Sequence, residues 1–208
     1  MTWIKICGIT CLEDAICVAK SGADAIGFVF ATDSPRRVTM EKAKTIISQL
    51  PESIIKVGVF VNEDAKIVKE IAKVCNLDML QFHGEESPEY CDQFEIKVIK
   101  AFRISNEKSV ADIIRYKVDF YLLDSFDKNR RGGSGKTFNW ELALLVKKQG
   151  IPIILSGGLN EHNVKEAIRK VKPFGVDVSS GIEISHGKKE ANKIQKFIES
   201  VRSELCII

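Results

Sequence analysis

The amino-acid sequence predicts an α/β protein, a compact single-domain (β/α)8 TIM barrel that occupies residues 1–208. Short runs of β-branched and aliphatic residues alternate along the chain with amphipathic stretches of helical period. This alternation is typical of a parallel sheet with right-handed crossovers. The strand-like runs number eight, at roughly 26 residues per unit, which favours closure into a small barrel over an open sheet.

The predicted strands are short and share a β-branched, apolar composition. In chain order they are Trp3–Ile9, Ala25–Phe30, Ile55–Val61, Met79–Phe82, Val98–Ile104, Phe120–Asp124, Pro152–Leu155 and Gly175–Ser179. The predicted helices repeat apolar residues at three- and four-residue spacing. They are Leu12–Ser21, Met40–Leu50, Glu63–Val74, Pro88–Phe94, Trp140–Lys148, Glu161–Val171 and Lys188–Glu204. The pattern is weaker over Asn106–Tyr116, so the fifth helix is expected to be short or irregular.

Length and composition limit the class of protein. A chain of 208 residues is long enough for one sizeable core and short for two domains. A net charge of +3 is too small to indicate nucleic-acid binding. No apolar run is long enough for a membrane helix, and the first residues lack the layout of a cleavable signal, so we expect a cytoplasmic protein. The basic residues on the last predicted helix are interpreted as a solvated face; they are Lys188, Lys189, Lys193 and Lys196.

The sequence contains six cysteines and three histidines, and their spacing does not match a zinc site or a C-x-x-C motif. We therefore expect reduced thiols and no bound metal. Most of these cysteines are interpreted as small buried hydrophobic residues, because free cysteine is among the most frequently buried residue types. Cys7 is treated separately because it lies at the end of the first predicted strand.

Small residues follow the last two predicted strands. Gly157 and Gly158 follow the seventh strand, and Ser179, Ser180 and Gly181 follow the eighth. Backbone N–H groups in such loops can approach a ligand closely, and the loops after strands seven and eight are the usual phosphate site of this barrel class. The alternative is two tight turns with no ligand. The occurrence of both loops at one end of neighbouring strands favours the phosphate site.

A glycine-rich segment, Gly132–Thr137, superficially resembles a nucleotide-binding P-loop. A P-loop requires a glycine where Arg130 stands, and it follows its strand directly, whereas here several residues intervene. We therefore reject ATP binding. The segment Lys128–Lys136 is predicted instead to be a mobile lid over an anion.

Two residues at strand ends are candidates for proton transfer. Cys7 is followed by Gly8 at the catalytic rim, where nearby cations could lower the pKa of its thiol and make it a general base. The alternative is a buried structural thiol. Asp124 ends the sixth predicted strand after an apolar run, which makes its carboxyl a candidate general acid; the alternative is a loop-capping aspartate.

Four further residues have open interpretations. Lys5 shares strand parity with Cys7 and could be a Schiff-base nucleophile, but a buried ion pair with Asp177 is favoured. Arg36 and Arg37 follow the second strand. One of the two guanidinium groups could bind a carboxylate bidentately; the alternative is that both are solvated charges. His83 follows the fourth strand and is interpreted as a hydrogen-bonding loop histidine rather than an acid or base.

Motifs along nearly the whole chain resemble those of the phosphoribosylanthranilate isomerase family. They are Lys5–Thr10, Gly22–Phe30, Ser34–Arg37, Val57–Asn62, Leu80–Glu85, Leu123–Asp124, Gly132–Trp140, Leu155–Asn160 and Val176–Glu183. Two departures are mild. Phe82 stands where leucine is usual, and the pair Arg36–Arg37 leaves the position of the family arginine open by one residue.

The resemblance implies an isomerase of tryptophan biosynthesis that needs no cofactor and no metal. It implies Cys7 as general base, Asp124 as general acid and Arg36 as the group that holds the anthranilate carboxylate. The phosphate is implied to bind the small-residue loops, Gly157, Gly158, Ser179, Ser180 and Gly181. The expected partner is a small phosphorylated substrate, with no nucleic acid and no membrane, in a monomer or homodimer.

Two other functions are compatible with such a barrel, because fold alone does not determine function. One is an aldolase that uses Lys5 as its nucleophile. The other is a non-catalytic module that binds a phosphorylated metabolite and does not depend on Cys7 or Asp124.

Overall fold

A computed structural model of the chain describes residues 1–104, 108–125, 140–148 and 150–204. Eight parallel strands form a closed barrel in chain order, as predicted. They are β1 (Trp3–Cys7), β2 (Ala25–Val29), β3 (Ile55–Phe60), β4 (Met79–Phe82), β5 (Lys97–Ile104), β6 (Phe120–Ser125), β7 (Ile153–Leu155) and β8 (Gly175–Val178). The strands are buried on both faces, which explains why most read as continuous apolar runs.

Helices follow the strands around the outside. They are α1 (Leu12–Lys20), α2 (Met40–Ile47), α3 (Ala65–Val74), α4 (Pro88–Cys91), α5 (Lys108–Ile113), α6 (Trp140–Lys147), α7 (Val164–Val171) and α8 (Ala191–Ser203). Side chains cap the N-termini of three helices. Thr39, Asp64 and Ser87 accept hydrogen bonds from backbone N–H groups in the first turns of α2, α3 and α4. The fifth helix is short, with six residues, and α4 is shorter still, with four.

The structure corrects the predicted start of the last helix. Residues Lys188–Lys189 form a short strand, β10, which pairs antiparallel with β9 (Glu183–Ser185). The side chain of Lys188 is half exposed, whereas that of Lys189 is fully buried. The interpretation of this basic run as a solvated face is therefore wrong for Lys189.

The core has two layers. Inward-facing residues fill the barrel, and they include Ala25, Val57, Met79, Ile99, Ala101, Leu122 and Ile154. A larger apolar layer lies between the strands and the helices. Above the inner layer, Cys7, Val29 and Val59 form a small cluster at the carboxyl ends of the strands. This cluster is the floor of the candidate site.

Barrel closure between β1 and β8 includes a buried ion pair. Lys5 and Asp177 are register partners on these strands, and Lys5 Nζ donates to Asp177 Oδ1 over 2.8 Å. The prediction of a structural ion pair at Lys5 is confirmed. Of the helices that the structure describes, none is both long and apolar enough to cross a membrane.

Candidate active site

A pocket of about 420 Å³ opens at the carboxyl ends of the barrel strands. All eight site residues predicted from the sequence line it. They are Cys7, Arg36, Asp124, Gly157, Gly158, Ser179, Ser180 and Gly181. The predicted lid, Lys128–Lys136, lies outside the described residues. In the described part of the chain, no group of three His, Cys, Asp or Glu side chains is arranged to hold a metal ion.

Cys7 ends β1 at the floor of this pocket, with 8% of its surface exposed. Its register partner on β2 is Gly27, and a Cβ at that position would lie 2.8 Å from Cys7 Sγ. Glycine therefore makes the space that the thiol occupies. The next residue, Gly8, has a φ of +76°, and a Cβ there would lie 2.5 Å from Arg36 Cδ. The turn after β1 thus lets Arg36 pack closely against it.

The electrostatics of Cys7 differ from the sequence-based expectation. Burial raises the pKa of the Cys7 thiol above its ordinary value, although Lys5 and Lys189 oppose this effect. The expectation that surrounding cations favour the thiolate at neutral pH is therefore wrong for this structure. Desolvation outweighs the cations because the thiolate loses its water on the barrel floor.

Asp124 lies near the end of β6 and is part of a hydrogen-bonded chain. His83 Nε2 lies 3.3 Å from Asp124 Oδ2, and Gln81 Nε2 lies 3.0 Å from His83 Nδ1. If the amide of Gln81 donates, His83 Nδ1 must be unprotonated and Nε2–H then donates to Asp124. This geometry agrees with a hydrogen-bonding role for His83 and gives it a specific partner.

Gln81 was not identified from the sequence. It is buried on β4 and lines the pocket, and its Oε1 has no hydrogen-bond partner among the described residues. The signal available was strand parity, since Gln81 and His83 are two residues apart and point the same way. A polar residue inside an otherwise apolar strand is the feature that could have identified it.

The two small-residue loops adopt conformations that favour glycine. Gly157 and Gly158 have φ values of +80° and +70°. A Cβ at Gly181 would collide with the backbone carbonyl of Leu159. A short 3-10 helix, Ser180–Ile182, follows β8 after Ser179. Both loops line the same pocket, and a loop pair with a short extra helix at this place is the usual phosphate site of the fold.

Arg36 and Arg37 have different surroundings. Arg36 is half buried and lines the pocket, whereas Arg37 is exposed. Arg36 Nε and Nη2 donate to the two carboxylate oxygens of Glu183 over 2.7 and 2.6 Å. Glu183 was not singled out as a site residue, because its carboxylate meets Arg36 only after the turn that follows β8 brings them together. The arginine is thus held in one orientation.

The family to which the chain belongs follows from its similarity to known proteins. Residues 4–200 match the family model described as N-(5'-phosphoribosyl)anthranilate (PRA) isomerase. The chain belongs to this family. A phosphoribosylanthranilate isomerase relative from Geobacter sulfurreducens is 48% identical over 97% of this chain and 99% of the relative.

Two solved structures of phosphoribosyl anthranilate isomerases share the fold. The one from Thermotoga maritima is 44% identical, with a TM-score of 0.93 over 98% of this chain and 100% of that one. Another was solved in complex with reduced 1-(o-carboxyphenylamino)-1-deoxyribulose 5-phosphate. It is 41% identical, with a TM-score of 0.89 over the same shares of the two chains. The predicted function, a phosphoribosylanthranilate isomerase of tryptophan biosynthesis, is confirmed.

Proposed function

We propose that the chain uses Cys7 and Asp124 to convert N-(5'-phosphoribosyl)anthranilate to 1-(2-carboxyphenylamino)-1-deoxyribulose 5-phosphate. The observation that carries this proposal is one pocket lined by a thiol, a carboxyl, an arginine and two glycine-serine loops. The substrate has an anion at each end and a sugar between them. The pocket offers matching groups for both anions, with the thiol and the carboxyl lining the same space.

The two ends of the substrate bind by different chemistry. The phosphate accepts hydrogen bonds from backbone N–H groups of the loops at Gly157–Gly158 and Ser179–Gly181. The anthranilate carboxylate pairs with Arg36, whose planar guanidinium suits a carboxylate. Anchoring both ends holds the sugar carbons in place between the acid and the base, which lowers the entropic part of the barrier.

Asp124 acts first, as a general acid. Its proton passes to the ring oxygen of the furanose, the bond from the anomeric carbon to that oxygen breaks, and a Schiff base forms with the anthranilate nitrogen. His83 Nε2 lies 3.3 Å from Asp124 Oδ2. In the tautomer in which Nε2–H donates to Oδ2, the carboxyl proton belongs on Oδ1. His83 and Gln81 then orient the acid rather than donate to the substrate.

Cys7 acts second, as a general base. Its thiolate removes the proton from C2′ of the Schiff base, which gives an enolamine that tautomerises to the ketone product. Proton transfers of this kind contribute roughly 10²–10⁴-fold each. Because burial raises the pKa of Cys7, the thiol must lose its proton before this step, and the thiolate available for it increases with pH.

The aldolase alternative is not favoured by the site. Lys5 is fully buried beneath the pocket, and its ammonium is paired with Asp177. A Schiff-base lysine must be neutral to attack a carbonyl, whereas Asp177 helps to raise the pKa of Lys5 despite its burial. We further propose that the protein is cytoplasmic, that residues 1–208 form a single barrel domain, that it is a monomer or homodimer, and that the reaction needs no cofactor.

The experiment follows the fluorescence of phosphoribosylanthranilate after addition of the purified chain. The expected result is a rapid decay, with a product whose C2′ is a ketone in the ¹³C spectrum. A reaction without protein controls for spontaneous hydrolysis, which releases free anthranilate. No acceleration over that control, or release of anthranilate alone, would contradict the proposal.

A further inference from the structure

The proposed mechanism does not use Lys189, although this residue places a positive charge inside the protein. Its side chain on β10 is 0% exposed. Burial of an ammonium group is costly unless the group is paired and hydrogen-bonded. A lysine kept at such a position therefore has strong interactions, and their partners indicate its role.

The ammonium group of Lys189 links two parts of the candidate site. Its Nζ donates to Glu183 Oε1 over 2.8 Å, and to the carbonyl oxygen and Oγ of Ser179 over 3.1 and 3.3 Å. Ser179 belongs to the loop proposed to bind phosphate. Glu183 holds Arg36, the group proposed to bind the carboxylate. The three donors of the ammonium thus connect both anion-binding regions.

The charges of this cluster show what Lys189 changes. Arg36 and Glu183 alone would form a neutral pair, and a neutral pair attracts a substrate carboxylate weakly. Lys189 pairs with the same Glu183 oxygen that accepts from Arg36 Nε. The cluster of two cations and one carboxylate keeps a single net positive charge. Burial would raise the pKa of Glu183, but its hydrogen bonds from Arg36 and Lys189 lower it overall. Burial lowers the pKa of Lys189, and its hydrogen bond to Glu183 opposes this effect and favours the ammonium form.

We propose that Lys189 is a positioning residue that holds Glu183 against Arg36 and keeps this side of the pocket positively charged for the substrate's carboxylate. This inference rests on the proposed function, because it assigns the partner of Arg36 in the same site. Lys189 does not line the pocket. It acts through Glu183 on Arg36 and through Ser179 on the phosphate loop.

Cys7 provides a reporter of this charge that does not require turnover. The charged groups that act directly on its thiol are Lys5 on β1, Asp177 on β8, Lys189 on β10 and Arg36 after β2. Glu183 acts on the thiol as well, because its carboxylate offsets the charges of Arg36 and Lys189. Loss of the Lys189 charge removes one cation from this set, while the others remain. The alkylation rate of Cys7 follows its thiolate fraction, so the midpoint of its pH profile reports the change.

The test compares Lys189→Met with Lys188→Met, a neighbouring control whose side chain is half exposed. Lys189→Met should raise KM by about tenfold with a smaller fall in kcat, and raise the alkylation midpoint of Cys7 by about one pH unit. The double variant Lys189→Met/Glu183→Gln returns the cluster to one net positive charge. Its midpoint should move back toward the wild-type value, which a loss of packing alone would not produce.

Glu183→Gln provides a test that does not depend on whether Lys189→Met folds. This variant adds one net positive charge, so the alkylation midpoint of Cys7 should fall. The inference is overturned if Glu183→Gln leaves the midpoint unchanged, or if Lys189→Met matches Lys188→Met in both KM and midpoint. If the wild-type chain alkylates as described but does not turn over phosphoribosylanthranilate, the proposed function fails while the charge cluster stands.

Discussion

Arg36 and Arg37 are adjacent in the chain, but only Arg36 is expected to bind substrate. Glu183 holds two of its nitrogens, and the pKa of Arg36 is raised by that hydrogen bonding. Arg36→Ala should raise KM, since a hydrogen bond to a charged group is worth about 1.5–3 kcal/mol. Arg37→Ala is the matched control, because Arg37 is exposed. Steady-state kinetics on both variants would show a slipped assignment if Arg37→Ala had the higher KM.

The pH dependence of Cys7 follows from its burial. Burial raises the pKa of the thiol, so its thiolate forms only at higher pH than in an ordinary cysteine. Iodoacetamide should therefore modify Cys7 more slowly in the folded protein than in the urea-unfolded chain at neutral pH, with a higher midpoint. Mass spectrometry of the Cys7 peptide measures both rates. Faster modification in the folded protein would show that the thiolate is stabilised instead.

Cys7, Asp124 and the glycine loops could be predicted as site residues from the sequence, because they stand directly at strand ends and the period of a barrel places those ends together. Glu183 and Lys189 could not be predicted in this way. Glu183 and Lys189 lie beyond β8 in a small hairpin, and their positions depend on tertiary contacts with Arg36 and Ser179. A basic run by itself is more often solvated than buried, so the sequence pattern indicated the wrong environment for Lys189.

At the scale of the elements, β2 is shaped to make room for Cys7. A Cβ on Gly27 would lie 2.8 Å from Cys7 Sγ and 3.2 Å from Lys5 Cε. Gly27→Ala should lower kcat by displacing the thiol, and overpacking of this kind costs about 1–3 kcal/mol of stability. Steady-state turnover and urea unfolding measure the two effects.

Gly58→Ala on β3 is the control for crowding in a strand. A Cβ there would lie 2.5 Å from Leu77 Cδ1, in contact with the outer layer rather than with Cys7. Both variants should lose stability, but only Gly27→Ala should lose turnover beyond that expected from the unfolded fraction. Equal loss of turnover in the two variants would contradict the proposal that Gly27 makes room for Cys7.

The strands were predicted more accurately than the helix ends. Seven of the eight predicted strands end within one residue of the observed end at the candidate rim, because a buried parallel strand is a continuous apolar run. Helices α2 and α4 end earlier than predicted, and α7 begins later. Apolar residues continue past the last turns of α2 and α4, and periodicity alone does not show where a helix begins or stops. The hairpin β9–β10 was missed because its strands have three and two residues.

At the scale of the whole molecule, the ion pair Lys5–Asp177 joins the first strand to the last. Both side chains are buried, at 0% and 6% exposure. Lys5→Met should destabilise the protein by about 3–5 kcal/mol, because it leaves the Asp177 carboxylate buried without its partner. Lys5→Met/Asp177→Asn should recover part of this loss. Urea unfolding measures both, and a double variant less stable than Lys5→Met would contradict the ion-pair explanation.

The central claim is that one barrel mouth combines a general acid on β6 with a general base on β1. The measurement that tests it most directly is the isomerisation rate of Cys7→Ser and of Asp124→Asn, alongside the binding of a phosphate-bearing product analogue. A serine hydroxyl is a far poorer base than a thiolate, and an amide cannot donate the ring-opening proton. Each variant should therefore lose at least roughly 10²-fold in kcat. Both should still bind the analogue, because the phosphate loops follow β7 and β8. Near-wild-type isomerisation by either variant would contradict the account.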